Sequence, residues 1–317
     1  MKKIYVVAGP TASGKTAVAV ALAKLLRGEV VSADSMQIYK GMDIGTAKPT
    51  TQEQGGIPHH MIDVAPPDQL YSAALYQQQA KAAIQEVYAR NRIPILCGGT
   101  GFYINAVLKD VDFSQDFGQE GEEDPLRAYF TELAAQKGLE YMHNHLREID
   151  PAAADAIHPN NVKRVIRALS YHRETGQLFS RHNATQKKQP DAYKAVFCCL
   201  KWDRQDLYTR INQRVLAMFD AGLEDEVAGL LAQGYHPGLV SMQGIGYKET
   251  VKYIEGHCTK DEAIGSIQKN SRNYAKRQET WFRNQNPNAV FVPADDRTPE
   301  SIVQEIINIF SYLSEGG

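Results

Sequence analysis

The octapeptide Gly9-Pro10-Thr11-Ala12-Ser13-Gly14-Lys15-Thr16 follows G-x-x-x-x-G-K-[ST] and constrains everything around it. The run Lys3–Ala8 before it is a short apolar stretch suited to a buried strand. The run Ala17–Leu26 after it is rich in alanine and leucine and has no glycine or proline, as a helix requires. In a strand–glycine loop–helix unit, backbone N–H groups and the helix dipole converge on bound phosphate. Lys15 would add a mobile positive charge and Thr16 a hydroxyl for Mg²⁺. The pattern implies a polyphosphate ligand and leaves open which one.

Composition excludes several classes. With 317 residues, 43% hydrophobic and 23% charged, the chain is an ordinary globular protein with one large domain or two smaller ones. A net charge of −2 gives no global sign of nucleic-acid binding, so any such partner must meet a local patch. Cys97, Cys198, Cys199 and Cys258 form no C-x-x-C, which argues against a zinc site or a disulfide framework. His143 and His145 belong to no H-E-x-x-H and are expected on the surface. The apolar run after Lys2-Lys3 ends at Gly9, too short for a signal peptide, and no stretch is long enough to span a bilayer. A cytoplasmic protein is expected.

Along the chain, Glu29–Asp34 reads as a strand ending in a carboxylate. Ligands of parallel α/β sheets sit at the carboxyl ends of strands, so Asp34 should lie beside the phosphate loop. It could serve as a magnesium ligand, a general base or a helix N-cap. Thr46–Pro58 reads as a loop, His60–Val64 as a short strand, and Ser72 as the cap of a helix running to about Arg90. The strand Ile93–Cys97 runs into Gly98-Gly99-Thr100-Gly101. There the small residues would let a ligand approach and Thr100 could donate to an oxyanion, unless the segment is a simple turn.

From Phe113 to Asp124 the apolar period is lost, as in a linker. Helical patterns follow from Asp124-Pro125 through Ala135, over Leu139–Glu148 and over Val162–Thr175, which makes 113–190 a helical insertion. Its end carries Lys163, Arg164, Arg167, Arg173, Arg181, Lys187 and Lys188 against Glu174, a candidate phosphate-backbone surface or a solvated face. Strand character returns at Ala195–Leu200, and Asp203–Gly222 is helical, with Arg210 and Arg214 on one face. Ser241–Lys248 suits a flat ligand, and Lys269–Arg283 interleaves basic residues with Tyr274, Trp281 and Phe282, a mixture suited to single-stranded nucleic acid. A strand at Ala289–Val292 and a helix from Pro299 to Leu313 close the chain. The expected fold is α/β: a P-loop NTPase or nucleotide-kinase-like parallel sheet built from 1–112 and 191–317, with an all-helical subdomain inserted at 113–190.

Five segments in order carry a resemblance. They are the phosphate loop, Asp34-Ser35-Met36-Gln37-Ile38-Tyr39, Gly98-Gly99-Thr100-Gly101-Phe102-Tyr103, His158-Pro159-Asn160 with Arg164 and Arg167-Ala168-Leu169, and Tyr274-Ala275-Lys276-Arg277-Gln278 with Trp281-Phe282-Arg283. Together they resemble the bacterial tRNA dimethylallyltransferases over nearly the whole chain.

The resemblance implies transfer of a prenyl group from dimethylallyl diphosphate to the N6 amine of the adenosine 3′ of the anticodon, with release of diphosphate. It makes Asp34 the general base. The leaving charge would fall to the amides of residues 11–16, Lys15, Thr100 and Arg214, with Mg²⁺ near Thr16 as cofactor. Asp34, Ser35, Met36, Gln37 and Thr100 would surround an exposed or flipped target base. Arg127, Lys163, Arg164 and Arg167 would grip the anticodon stem, and Gln243, Gly246, Tyr247, Tyr274, Lys276 and Arg277 the loop. The expected partners are the tRNA anticodon stem-loop and the donor, for a monomer that needs no membrane. Two other readings share the motif: a small-molecule kinase using ATP, with Asp34 activating a hydroxyl, and an RNA-binding NTPase switch.

Overall fold

The computed structural model describes residues 2–109, 111, 113, 125–187 and 191–315. They fall into two compact units, Met1–Leu108 with Ala192–Gly317, and Lys109–Asp191. The expected linker 114–124, and Lys188, lie outside the described residues.

The first unit holds a six-stranded sheet of β1 (Lys3–Ala8), β2 (Gly28–Ser32), β3 (His59–His60), β4 (Ile93–Gly98), β5 (Lys194–Lys201) and β6 (Val290–Pro293). Their spatial order is β3-β2-β4-β1-β5-β6, and every neighbouring pair is parallel. The central strand explains the apolar runs. Ile4, Val6 and Ala8 enter one core layer and Tyr5 and Val7 the other, so β1 is buried on both faces. Helices α1 (Lys15–Leu26), α2 (Thr51–Gln54), α3 (Ala73–Ala89) and α4 (Gly101–Leu108) belong to this unit. Ser72 caps α3 by accepting from Leu75 N–H.

The second unit is all helix among its described residues: α5 (Pro125–Lys137), α6 (Leu139–Ile149), α7 (Pro151–Ala156), α8 (Val162–Thr175) and α9 (Phe179–Lys187). It has its own core around Phe130, Leu146 and Leu169. It leaves and re-enters the first unit at adjacent points, where Ala192 N–H donates to Leu108 C=O at 2.7 Å. The chain then adds α10 (Arg204–Asp220), α11 (Leu223–Ala232), α12 (Tyr247–Ile254), α13 (Lys260–Gln285) and α14 (Pro299–Glu315). The helices α10 to α13 pack around Val215, Met242 and Tyr247 against Ile38 and Met42. No helix of the described residues is long and apolar enough to cross a membrane.

Several sequence expectations change. His60–Val64 is no strand: β3 ends at His60, and Met61 and Asp63 take left-handed φ of 63° and 56°. The curl is set by Ile38, whose carbonyl accepts from both Val64 and Ala65 N–H. The loop 46–58 contains α2, nucleated by a capping box between Thr50 and Glu53. His143 is buried rather than on the surface, because its Nε2 is shared between the carbonyls of Ala154 and Ile157 at 3.0 and 2.9 Å. The short helices α7 and α9 gave too little periodic signal, and Asp150 joins them by accepting from Ala153 and Ser180 N–H.

All strands being parallel, the turns after β1, β2, β4 and β5 meet at one sheet edge. The contact there between β4 and the turn after β2 leaves no room for a side chain. A Cβ on Gly98 would overlap the Ala33 carbonyl, which itself accepts from Thr100 N–H at 3.0 Å. Gly98→Ala should therefore lower unfolding free energy by about 3 kcal/mol. Urea denaturation checks this, and an unchanged midpoint would refute the close approach.

Candidate active site

The phosphate loop is held from outside by side chains. Thr11 N–H donates to Gln278 Oε1 at 2.8 Å, Arg210 Nε to Ala12 C=O at 2.9 Å, and Trp202 Nε1 to Ser13 C=O at 3.0 Å. The Arg210 guanidinium also stacks on Trp202, 4.3 Å from the ring centroid. Gly14, with φ 82°, starts α1 and turns the loop toward the helix axis. Lys15 Nζ donates to Pro10 C=O at 2.7 Å and so closes the loop on itself. Burial lowers the pKa of this ammonium, with Asp34 and Cys97 acting in the opposite sense. Arg214 is likewise lowered by burial and supported by Asp34. Two half-buried cations thus face one cavity, where an entering polyanion would offset their desolvation.

Two cavities meet here. The first, of about 510 Å³, is lined by Thr11–Thr16 together with Ser32, Asp34, Gln37, Glu53, Arg210 and Arg214. The second, of about 330 Å³, has largely apolar walls from Met36, Ile211, Val215, Met218, Ile245 and Ile267, with Ser35, Gln243 and Arg277 beside them. Asp34, Thr11, Ala12, Thr46, Ala47, Arg214 and Tyr274 line both. Asp34 is half-buried at the seam. It caps no helix; its Oδ1 accepts from Met36 N–H at 2.9 Å and folds the turn after β2. Gln37 is fixed by Ser32 Oγ, which donates to its Oε1, and by its own donation to Ala47 C=O. Burial raises the Cys97 thiol to about 12, so it lines the first cavity as an apolar group.

Thr100 reaches neither cavity lining. Its Oγ1 accepts from Ser35 N–H at 3.0 Å, so it steadies the Asp34 turn. Tyr247 is fully buried with its hydroxyl on Glu226, although its ring contributes to the second cavity, and Gly246 is the buried N-cap of α12. Phe282 belongs to the core and Trp281 packs on it, so of the aromatics expected to stack bases, Tyr274 alone lines the cavities. Lys276 and Arg277 are exposed. Arg127, Lys163 and Arg164 are exposed on the second unit, and Arg167 is half-buried.

Among the described residues, no group of three or more His, Cys, Asp or Glu could hold a metal. The first cavity offers the Thr16 hydroxyl and the carboxylates of Asp34 and Glu53 among its oxygen groups. Such a set suits a hydrated cation that arrives with phosphate rather than a resident ion.

Sequence reasoning missed Glu226. Its carboxylate accepts from the consecutive N–H groups of Asp43, Ile44 and Gly45 at 2.9, 2.7 and 3.1 Å, and from Tyr247 Oη at 2.6 Å. This binds the segment that carries Thr46 and Ala47 into both cavities. Its only sequence signal, an acidic residue in the first turn of α11, is indistinguishable from ordinary helix-dipole pairing.

Comparison with known proteins places this geometry. The family model for IPP transferase matches residues 37–285. The chain belongs to the IPP transferase family. A tRNA dimethylallyltransferase of Lachnoclostridium phytofermentans is 43% identical over 311 residues, covering 98% of each chain. Among solved structures, the full-length tRNA isopentenylpyrophosphate transferase of Bacillus halodurans is 41% identical, with a TM-score of 0.73 over 99% of this chain and 98% of that one. A eukaryotic dimethylallyltransferase captured acting on tRNA is 26% identical, with a TM-score of 0.80 over 99% of this chain and 80% of that one. The match spans both units.

Glu226→Ala would strip a partner from three adjacent N–H groups and should cost about 2 kcal/mol or more. Tyr247→Phe, which removes one bond, should cost about 1 kcal/mol. Urea titration of both variants checks the order, and equal costs would contradict the role given to Glu226.

Proposed function

We propose that this chain transfers a dimethylallyl group from dimethylallyl diphosphate to the N6 amine of the tRNA adenosine 3′ of the anticodon, releasing diphosphate. The observation that carries the reading is the position of Asp34, one carboxylate at the seam between a phosphate cradle and an apolar cavity. The apolar walls of the second cavity suit a five-carbon tail and a purine. The reading takes a single chain as the working unit, since one chain lines both cavities.

In this reading the donor's diphosphate lies along Thr11–Thr16, where amides and the α1 dipole meet it. Lys15 leaves Pro10 C=O to pair with it, and Arg214 closes from the other side. The five-carbon tail points across the seam, and the purine enters from the second cavity between Met36, Ile245 and Tyr274. An adenine amine is a poor nucleophile because its lone pair is delocalised into the ring. As that pair attacks C1 of the donor, the C1–O bond breaks and its electrons leave on diphosphate. The amine proton passes to the Asp34 carboxylate. Thr16, with Glu53 of the first cavity, would hold the water shell of Mg²⁺, which, when bound, would neutralise diphosphate charge.

For the tRNA, exposed Lys276 and Arg277 of α13 and exposed Arg127, Lys163 and Arg164 of the second unit supply phosphate contacts. Gln243 stands exposed at the mouth of the second cavity. Such local patches reconcile RNA binding with a net charge of −2.

Asp34→Asn tests the central role. Asn preserves the acceptor for Met36 N–H but cannot take a proton. Single-turnover transfer, read by the mass of digested tRNA nucleosides, should fall about 10²–10⁴-fold. Filter-binding affinity for tRNA should stay within a factor of about two. Loss of binding in step with transfer would refute the assignment of Asp34 as base.

A further inference from the structure

The phosphate loop and the turn after β4 are tied to each other by the side chain of Gln278, which is only 6% exposed. Its Oε1 accepts from Thr11 N–H at 2.8 Å, and its Nε2 donates to Gly99 C=O at 2.9 Å. A single amide therefore spans the turn after β1 and the turn after β4. Both ends are spoken for: one must accept and the other must donate, which among side chains of this length only glutamine does.

The glycines of the second turn fit this role and not that of a ligand cradle. A Cβ on Gly99 would overlap Gln278 Nε2, and one on Gly101 would overlap the Trp281 ring. What approaches those glycines is the inner face of α13. On the same helix Tyr274 lines both cavities, and opposite it Thr100 Oγ1 accepts from Ser35 N–H beside Asp34. Arg210 and Trp202 also grip the phosphate loop, but from the α10 side. Gln278 is the grip that refers the loop to the turn holding Asp34.

We infer that Gln278 is a positioning residue for diphosphate. It fixes Thr11, and with it the mouth of the cradle, at the spacing from Asp34 that the reaction needs. The inference rests on the proposed prenyl transfer, and it assigns Gln278 no contact with the reacting atoms. Without the amide, Thr11 N–H is freed and the loop is tied only through Ala12 and Ser13. The cradle then loses its shape toward Asp34 while the outer face of α13, with Lys276 and Arg277, is unchanged.

The test is a double-mutant cycle of Gln278→Met and Gly99→Ala. Methionine keeps the volume and loses both bonds; alanine at 99 displaces the amide while leaving it in the chain. Affinity for inorganic diphosphate with Mg²⁺, measured by calorimetry, should fall at least about tenfold in each single variant. The double variant should be no weaker than Gly99→Ala alone, because the displaced group is already gone. The Michaelis constant for dimethylallyl diphosphate should rise in parallel, and affinity for an anticodon stem-loop should stay within about twofold. A merely structural role would shift the melting temperature and both affinities together. Diphosphate affinity within twofold of the parent in a folded single variant, or fully additive losses in the double, would overturn the inference. A parent chain that binds diphosphate but transfers no prenyl group would instead count against the transfer reaction itself.

Discussion

Everything at the active edge depends on side chains holding the backbone of residues 11–13. A glycine loop can bind phosphate only if its N–H groups point one way, and a loop that curves by itself does so at a cost in entropy and strain. Here Ala12 is kept at φ 63°, an uncommon region for a residue with a Cβ. Gln278, Arg210 and Trp202 each take one backbone group of the segment. They come from α13, from α10 and from the end of β5, so the helices of the chain's second half are fastened to its first motif.

The same arrangement sets the electrostatics. Lys15 and Arg214 are both desolvated, and Asp34 is the acid that supports both of them. A polyanion entering this site offsets a burial already incurred in folding. In the proposed reaction a departing diphosphate would meet fixed dipoles rather than water that must reorganise. In the proposed reaction the motif usually met in phosphoryl transfer would receive a leaving group. What distinguishes the two uses lies outside the motif, in the apolar cavity on the far side of Asp34.

Much of this was legible in the sequence. The phosphate loop announced itself by spacing, β1, β4 and β5 by apolar runs, α3 by its Ser72 cap and α8 by its helical pattern. Placing Asp34 beside the loop followed from the parallel topology alone. What was not legible involved partners distant in the chain. Gly99 and Gly101 looked like room for a ligand because sequence cannot show that Gln278 and Trp281 fill it, and Gly98 is small because it passes the Ala33 carbonyl. Tyr247 looked like a contact for the tRNA loop because its partner Glu226 lies on another helix. Phe282 faces the core and half-buried Trp281 packs against it, among basic residues whose side chains face outward. The curl at 61–64 was hidden because Met-Ile-Asp-Val has strand composition, and long-range hydrogen bonds to Ile38 decide its path. In each case tertiary contact overrode a local pattern.

The most direct measurement is of stoichiometry. The chain would be incubated with Mg²⁺, dimethylallyl diphosphate, ATP and unmodified tRNA whose anticodon is followed by adenosine, and every product counted. The account predicts one diphosphate released for each adenosine that gains the mass of a dimethylallyl group, with ATP left intact. ATP consumed without any gain in nucleoside mass would return the phosphate loop to phosphoryl transfer and contradict the role given to Asp34.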